Sequence, residues 1–357
     1  MKVFSRTLYV LLATVVAVGF MGCRSTSVSL PRASNSEINK YEAAGEKVFK
    51  EVASEGTNRL HSLMLVKDDK VVYEKWAVGY EPEQLHVLWS ASKTFTALAV
   101  GFAEQEGLLT VDDKLIDFLE PHQLPLYEQK WLEDITIHHL LTMSSGLGDD
   151  HSLRQIRNGM GDWARETLSM RHYFAPGEMY HYSSMDTYLL SVAISKVTGK
   201  KLVDYLAEKL FKPLGIEDYH WEESPQGISA GGWGLHLTTE SLAKAGLFML
   251  HRGEWQGKRL LSEEWFDRAT TPQIMQYKGR VTDPARIEQY KLSGDQHNQG
   301  YGYQLWCCTD GAYRMDGAWG QCVVVYPEKN AVVVTTGHAG NTKTILAAIW
   351  NNIFEIM

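Results

Sequence analysis

Ser90 and Lys93 stand three residues apart in Trp89-Ser90-Ala91-Ser92-Lys93-Thr94-Phe95-Thr96. The segment runs into an amphipathic stretch, residues 95–106, with Phe95, Leu98, Ala99 and Phe102 at helical spacing and Gly107 as the stop. Residues three apart on a helix share a face, so the hydroxyl and the amine come within reach of one proton. A serine hydroxyl is a weak nucleophile until a neighbouring base takes that proton. A lysine can be the base when burial disfavours its charged form. First-turn N–H groups also favour negative charge developing beside Ser90. Alone, the pair is a weak signal, because the same spacing describes an exposed helix start with Ser90 as its cap.

The elements that must hold this pair can be read around it. Residues 37–55 predict an opening helix, and 61–66 and 71–76 two strands joined by the hairpin signal Lys67-Asp68-Asp69-Lys70. A short helix is expected near 134–143 with Thr136 as its cap, and others over 189–197, 202–211 and 241–251. Residues 148–175 are weakly patterned. Residues 274–300 are polar and irregular, a length that suits a lid or substrate wall. Strand patterns return at 301–308, 321–326 and 331–336. A final helix carries an apolar stripe of Ile345, Leu346, Ile349, Trp350, Ile353 and Phe354 that should pack on the sheet. Strands near both ends with helices between predict an α+β fold. It would be an antiparallel sheet flanked by helices, with a helical lobe inserted over roughly 110–250. A cleft between the lobes is the natural place for a site.

The chain has 357 residues, 44% hydrophobic and 22% charged, with net charge −8. That composition is globular, and without a basic run it argues against nucleic acid as a partner. Lys2 and Arg6 precede an apolar stretch over 7–20, which ends in Phe20-Met21-Gly22-Cys23. This pattern predicts a lipoprotein signal peptide over 1–22, lipid attachment at Cys23, and a flexible polar tether over 23–36. The body, 37–357, would then sit in the bacterial cell envelope, extracytoplasmic and lipid-anchored to the membrane. An ordinary secretory signal or an uncleaved anchor are the alternatives. Cys307, Cys308 and Cys322 read as small buried hydrophobes, with Thr309 to Ala312 a hairpin turn that sets Cys308 about opposite Tyr313. Asp149-Asp150-His151 reads as a solvated loop. No metal-binding spacing and no dinucleotide or Gly-x-Ser-x-Gly pattern occurs, so no cofactor and no metal is implied.

Several ordered segments together resemble the β-lactamase-related serine hydrolases, which share their fold with class C β-lactamases and penicillin-binding proteins. They are Leu88 to Thr96, Ile135 to Leu147 with its Ser144-Ser145-Gly146-Leu147 turn, Pro176 to Ser184, Tyr188-Leu189-Leu190, Val197-Thr198-Gly199, Gly231-Gly232 and Gly253 to Lys258. The resemblance covers most of 40–350. It implies Ser90 as nucleophile, Lys93 as general base and Tyr182 as the tyrosine passing a proton to the leaving group, with Tyr180 as packing. It also implies an oxyanion hole from the backbone N–H groups of Ser90 and Ala318, beside Met315-Asp316-Gly317.

Two departures shape the expected substrate. Ser184 stands where the family often has Asn, and Asp186 follows it, as in the branch resembling 6-aminohexanoate-dimer hydrolases and carboxylesterases. Met315 replaces the cation that binds a β-lactam carboxylate, and Asp316 adds a negative charge beside it. Ser184, Asp186, Asp316, Gly317 and Trp319 are therefore the expected substrate contacts. The expected reaction is hydrolysis of an ester, linear amide or peptide-like small molecule. The alternatives are a β-lactamase or D,D-peptidase, and a non-catalytic surface binding protein of the same fold.

Overall fold

The computed structural model describes residues 29–148 and 150–357. Cys23, the leader before it and Asp149 of the acidic cluster lie outside the described residues.

In chain order the elements are α1 (Asn35–Ala53), β1 (Arg59–Lys67), β2 (Lys70–Trp76), β3 (His86–Val87), α2 (Ser92–Gln105), α3 (Ile137–Leu141), α4 (Asp150–Asn158), α5 (Trp163–Leu168), α6 (Ser184–Thr198) and α7 (Leu202–Leu206). They continue with β4 (His220–Trp221), β5 (Leu235–Leu237), α8 (Thr239–Leu250), β6 (Glu254–Trp255), β7 (Lys258–Arg259), α9 (Glu263–Ala269), α10 (Pro284–Leu292), β8 (Trp306–Cys307), β9 (Tyr313–Gly317), β10 (Gln321–Tyr326), β11 (Ala331–His338) and α11 (Thr342–Asn352). The main sheet is antiparallel, in the order β2-β1-β11-β10-β9-β8. Asp68 and Asp69, both at positive φ, make the tight turn between β1 and β2 that matches the twist of a hairpin.

Both sheet faces are covered. Alternate residues of β10 and β11, Cys322, Val324 and Val333, join Val48, Val52, Ile345 and Ile349 of α1 and α11. Their neighbours Val323, Val325, Val332 and Val334 join the larger core with α2, α6 and α8. This two-residue alternation sorts one strand's side chains between two cores. The predicted α+β arrangement, an antiparallel sheet flanked by helices, is the one observed.

Five expectations change. Asp150 and His151, expected in a loop, open α4. The helical lobe expected to end near 250 stops short of α8, which lies on the sheet: a Cβ on Gly246 would sit 2.5 Å from Val332 and 3.0 Å from Val323. The irregular 274–300 segment contains α10, opened by Asp283, whose carboxylate accepts from Ala285 N. The tether expected through 36 is docked at its end. Leu30 is buried, Ala33 N donates to Val71 O, and Arg32 pairs with Glu74 and Glu240. The 301–308 strand shrinks to two residues, and Cys307 rather than Cys308 faces Tyr313. All three described cysteines are buried thiols.

The helix carrying Lys93 is buried from Ser92 to Ala103, and α6 from Ser184 to Ile194. A helix enclosed on all sides can hold a polar side chain away from water only if neighbouring segments supply its partners.

The close approach of α8 to the sheet gives a stability test. Gly246→Val should lower unfolding free energy by about 2 kcal/mol or more, read as a lower urea midpoint, because the site has no room for the added methyl groups.

Candidate active site

Ser90 lies in a single 3₁₀ turn, Trp89–Ala91, that leads into α2. Trp89 holds φ +49°, a left-handed value that strains a bulky residue. Ser90 is half-buried at the mouth of the helix, and Lys93 behind it is only 1% exposed. Lys93 Nζ lies 3.0 Å from Ser90 Oγ, 2.8 Å from Ser184 Oγ and 2.7 Å from the Gly232 carbonyl oxygen. The Tyr182 ring flanks the same nitrogen, its centroid 4.9 Å away. Three segments distant in sequence thus converge on one buried amine.

Local sequence explains how each is held. Ser183 caps α6 by accepting from Asp186 N at 3.4 Å, so Ser184 is the first helical residue and faces Lys93. Gly231 has φ +66°. A Cβ on it would lie 2.8 Å from Thr187 O, and one on Gly232 would lie 2.5 Å from Ser184 O. Only glycine lets this loop lie against the α6 backbone. Thr96 Oγ1 donates to Gly231 O, and Ser92 Oγ accepts from Leu235 N, which ties the loop to α2.

Tyr182 stacks on Trp306, centroids 6.2 Å apart. Trp306 in turn meets Tyr180 and Tyr301, and Tyr180 is buried packing, as expected. Thr136 caps α3 as predicted, accepting from His139 N.

The end of β9 closes the site. A Cβ on Gly317 would lie 2.1 Å from Leu88 O and 3.1 Å from Ala91 N, so this strand end rests on the Ser90 turn. Ala318 follows in an exposed turn, with Trp319 beside it at φ +67° and 42% exposed.

Two expected substrate contacts are placed elsewhere. Asp316 is opposite Cys322, and Arg314 opposite Val324, so both point to the α1–α11 face, while Gly317 and Met315 face α2. Asp316 accepts from Arg314 Nε at 3.0 Å. Burial opposes the Arg314 charge, but Asp316 and the neighbouring thiols outweigh it and hold the guanidinium protonated. Asp186 is fully buried and accepts from Ser145 Oγ at 2.8 Å. It stands behind Ser184 rather than at the cleft surface.

Some participants had no signal in the sequence. Gln304 donates from Nε2 to Leu140 O (2.8 Å) and Leu141 O (3.1 Å), accepts from Thr187 Oγ1 (2.6 Å), and its carbonyl accepts from Thr94 Oγ1 (2.9 Å). It braces α2, α3 and α6 together. Its partners come from three helices, so no local pattern could mark it. Gly232 was visible only as part of a glycine pair.

A Beta-lactamase family model matches residues 50–351. The chain belongs to the Beta-lactamase family. Its fold and family are those of serine hydrolases. It is 31% identical to penicillin-binding protein 4* of Bacillus subtilis over 165 residues, 42% of this chain and 34% of that one. It is 30% identical to protein flp of Staphylococcus aureus over 166 residues, 43% and 33% of the two chains. The match spans about a third of the length of these relatives. A Bacillus anthracis structure provisionally assigned as a 6-aminohexanoate-dimer hydrolase shares the fold, with TM-score 0.70, 18% identity and coverage of 86% and 80%.

Two substitutions test the geometry. Gly317→Ala should push the strand end off the Ser90 turn and lower kcat/KM by about 10²-fold or more, the scale of losing one oxyanion donor. Ser184→Ala removes a hydrogen bond to the buried amine and should cost roughly 10- to 100-fold in kcat. Near-UV circular dichroism should show both variants folded.

Proposed function

We propose that this protein hydrolyses an ester or a linear amide through an acyl-enzyme on Ser90, with Lys93 as general base and Tyr182 in proton transfer. The observation that carries the reading is the set of three oxygens around Lys93 Nζ. The Gly232 carbonyl can only accept, so one N–H goes there. A second N–H goes to Ser184. A neutral amine then has its lone pair left for the Ser90 proton. Once protonated, the ammonium has three donors for three oxygens. Each protonation state is therefore satisfied without rearrangement, which is what a base buried away from water requires.

In the proposed cycle, Lys93 takes the Ser90 proton as Oγ bonds to the carbonyl carbon. The oxyanion is held by Ser90 N–H and Ala318 N–H. The tetrahedral intermediate collapses, and the leaving oxygen or nitrogen departs with a proton passed through Tyr182. A water, deprotonated by the same base, attacks the acyl carbon and returns Ser90.

Met315 and Arg314 favour a neutral substrate over a β-lactam. Met315 is buried without charge, and Arg314 is turned to the far side of the sheet and paired with Asp316. The names of the relatives span both possibilities, a penicillin-binding protein and a 6-aminohexanoate-dimer hydrolase. We further propose that the chain is lipid-anchored at Cys23 in the cell envelope. Labelling with an alkyne fatty acid that persists in Cys23→Ser would rule this out.

Three outcomes check the enzymatic reading. A fluorophosphonate probe should label Ser90. Ser90→Ala should lose several powers of ten in p-nitrophenyl ester turnover. Nitrocefin should be cleaved slowly or not at all. Ester turnover that survives in Ser90→Ala would refute the acyl-enzyme.

A further inference from the structure

A strip of aromatic rings borders the Ser90 turn. Trp319, next to Ala318, stacks face to face on His338, with centroids 4.4 Å apart and planes 9° apart. His61 stacks on Tyr80 at 3.8 Å, and both rings lie within about 6 Å of His86 (5.6 and 6.0 Å). The two groups are joined through the sheet. His61 sits in the bulge between Leu60 and Ser62, where Leu60 pairs with Gly337 and Arg59 with His338. Each group lies close in sequence to a residue at the site. His86 stands two residues before Leu88, whose carbonyl oxygen abuts Gly317, and Trp319 stands two residues after Gly317.

The energetics of this strip are unusual. Trp319 combines a left-handed backbone with 42% exposure, so it carries strain without burial in the core to offset it. Strained, exposed positions of this kind concentrate where a chain binds something. Gly320, at φ +91°, permits the turn, and Trp319 O accepts from Ala339 N, which anchors the platform to the end of β11. His86 Nε2 is buried and has no hydrogen-bond partner among the described residues, so the strip also offers an unsatisfied polar atom. Burial lowers the pKa of His61 and brings that of His86 down to about 4, which favours the uncharged ring at both positions.

We propose that Trp319, stacked on His338, is a specificity platform that receives a flat apolar ring attached to one side of the scissile carbonyl. The proposal rests on the hydrolase reading and narrows its substrates to ring-bearing esters or amides. An exposed indole one residue after the proposed oxyanion donor Ala318 gains most from offset stacking with such a ring.

The test compares matched esters in wild type, Trp319→Phe and Trp319→Gly. Glycine suits the positive φ, so its backbone need not shift. Ethyl phenylacetate against ethyl butanoate probes a ring on the acyl side, and benzyl acetate against butyl acetate a ring on the leaving side. In at least one pair, the ring-to-alkyl ratio of kcat/KM should fall roughly 3- to 10-fold in Trp319→Gly and be largely kept in Trp319→Phe. A second measurement does not depend on turnover: an NMR titration of ethyl phenylacetate into Ser90→Ala with and without Trp319→Gly. Weaker binding without the indole, by the same factor, supports the platform even if no ester is turned over, in which case the ester half of the hydrolase reading fails and the platform stands. Unchanged ratios in both pairs, or unchanged binding where no turnover occurs, overturn the platform.

Discussion

The structure depends on one buried amine. Lys93 sits on a helix closed off from water, and burying a polar nitrogen is costly unless its hydrogen-bonding capacity is met. The chain meets it with three oxygens drawn from the Ser90 turn, the first residue of α6 and the glycine loop before β5. Satisfying Lys93 therefore fixes how these three segments sit together. The glycines at 231 and 232, the Ser183 cap and the Gln304 brace all serve that convergence. Chemistry and folding share a constraint here, because the groups that make the amine tolerable are those that would let it move a proton.

The second constraint is the pleat of β9. Alternation sends Gly317 toward the Ser90 turn and Asp316 away from it, onto Arg314. A carboxylate at the reacting edge would oppose a developing oxyanion. Here it pairs instead with a fully buried guanidinium on the opposite face. The absence of a Cβ at 317 brings the strand to the turn, and the residues after it form the exposed aromatic platform.

Much of the fold was legible because its signals are local. The hairpin at Asp68-Asp69, the cap at Thr136 and the stripe on α11 follow from backbone preferences and from periodicity within a few residues. The misjudged parts share a different cause. Helices buried on all sides carry no polar face to set their boundaries, so α6 begins five residues before its apolar pattern becomes clear. In the same way α8 gave no sign of which lobe it joins, since only the facing Val323 and Val332 decide that. Asp186 and Asp316 were readable as acidic residues near a site but not as occupied ones. Their partners, Ser145 and Arg314, could be assigned only once the α6 turn and the sheet register were known.

The sequence by itself determined the spacing of Ser90 and Lys93, the placing of strands near both ends with helices between, and the order of the segments that meet at the site. These depend on helical and strand periods, which the chain carries wherever it goes. Tertiary structure alone decided what surrounds the amine, which face of the sheet each acidic residue occupies and which rings stack beside the turn. Those outcomes depend on contacts between residues as far apart as Lys93 and Gly232, or Arg59 and His338, and such contacts exist only after long-range packing has brought their backbones together.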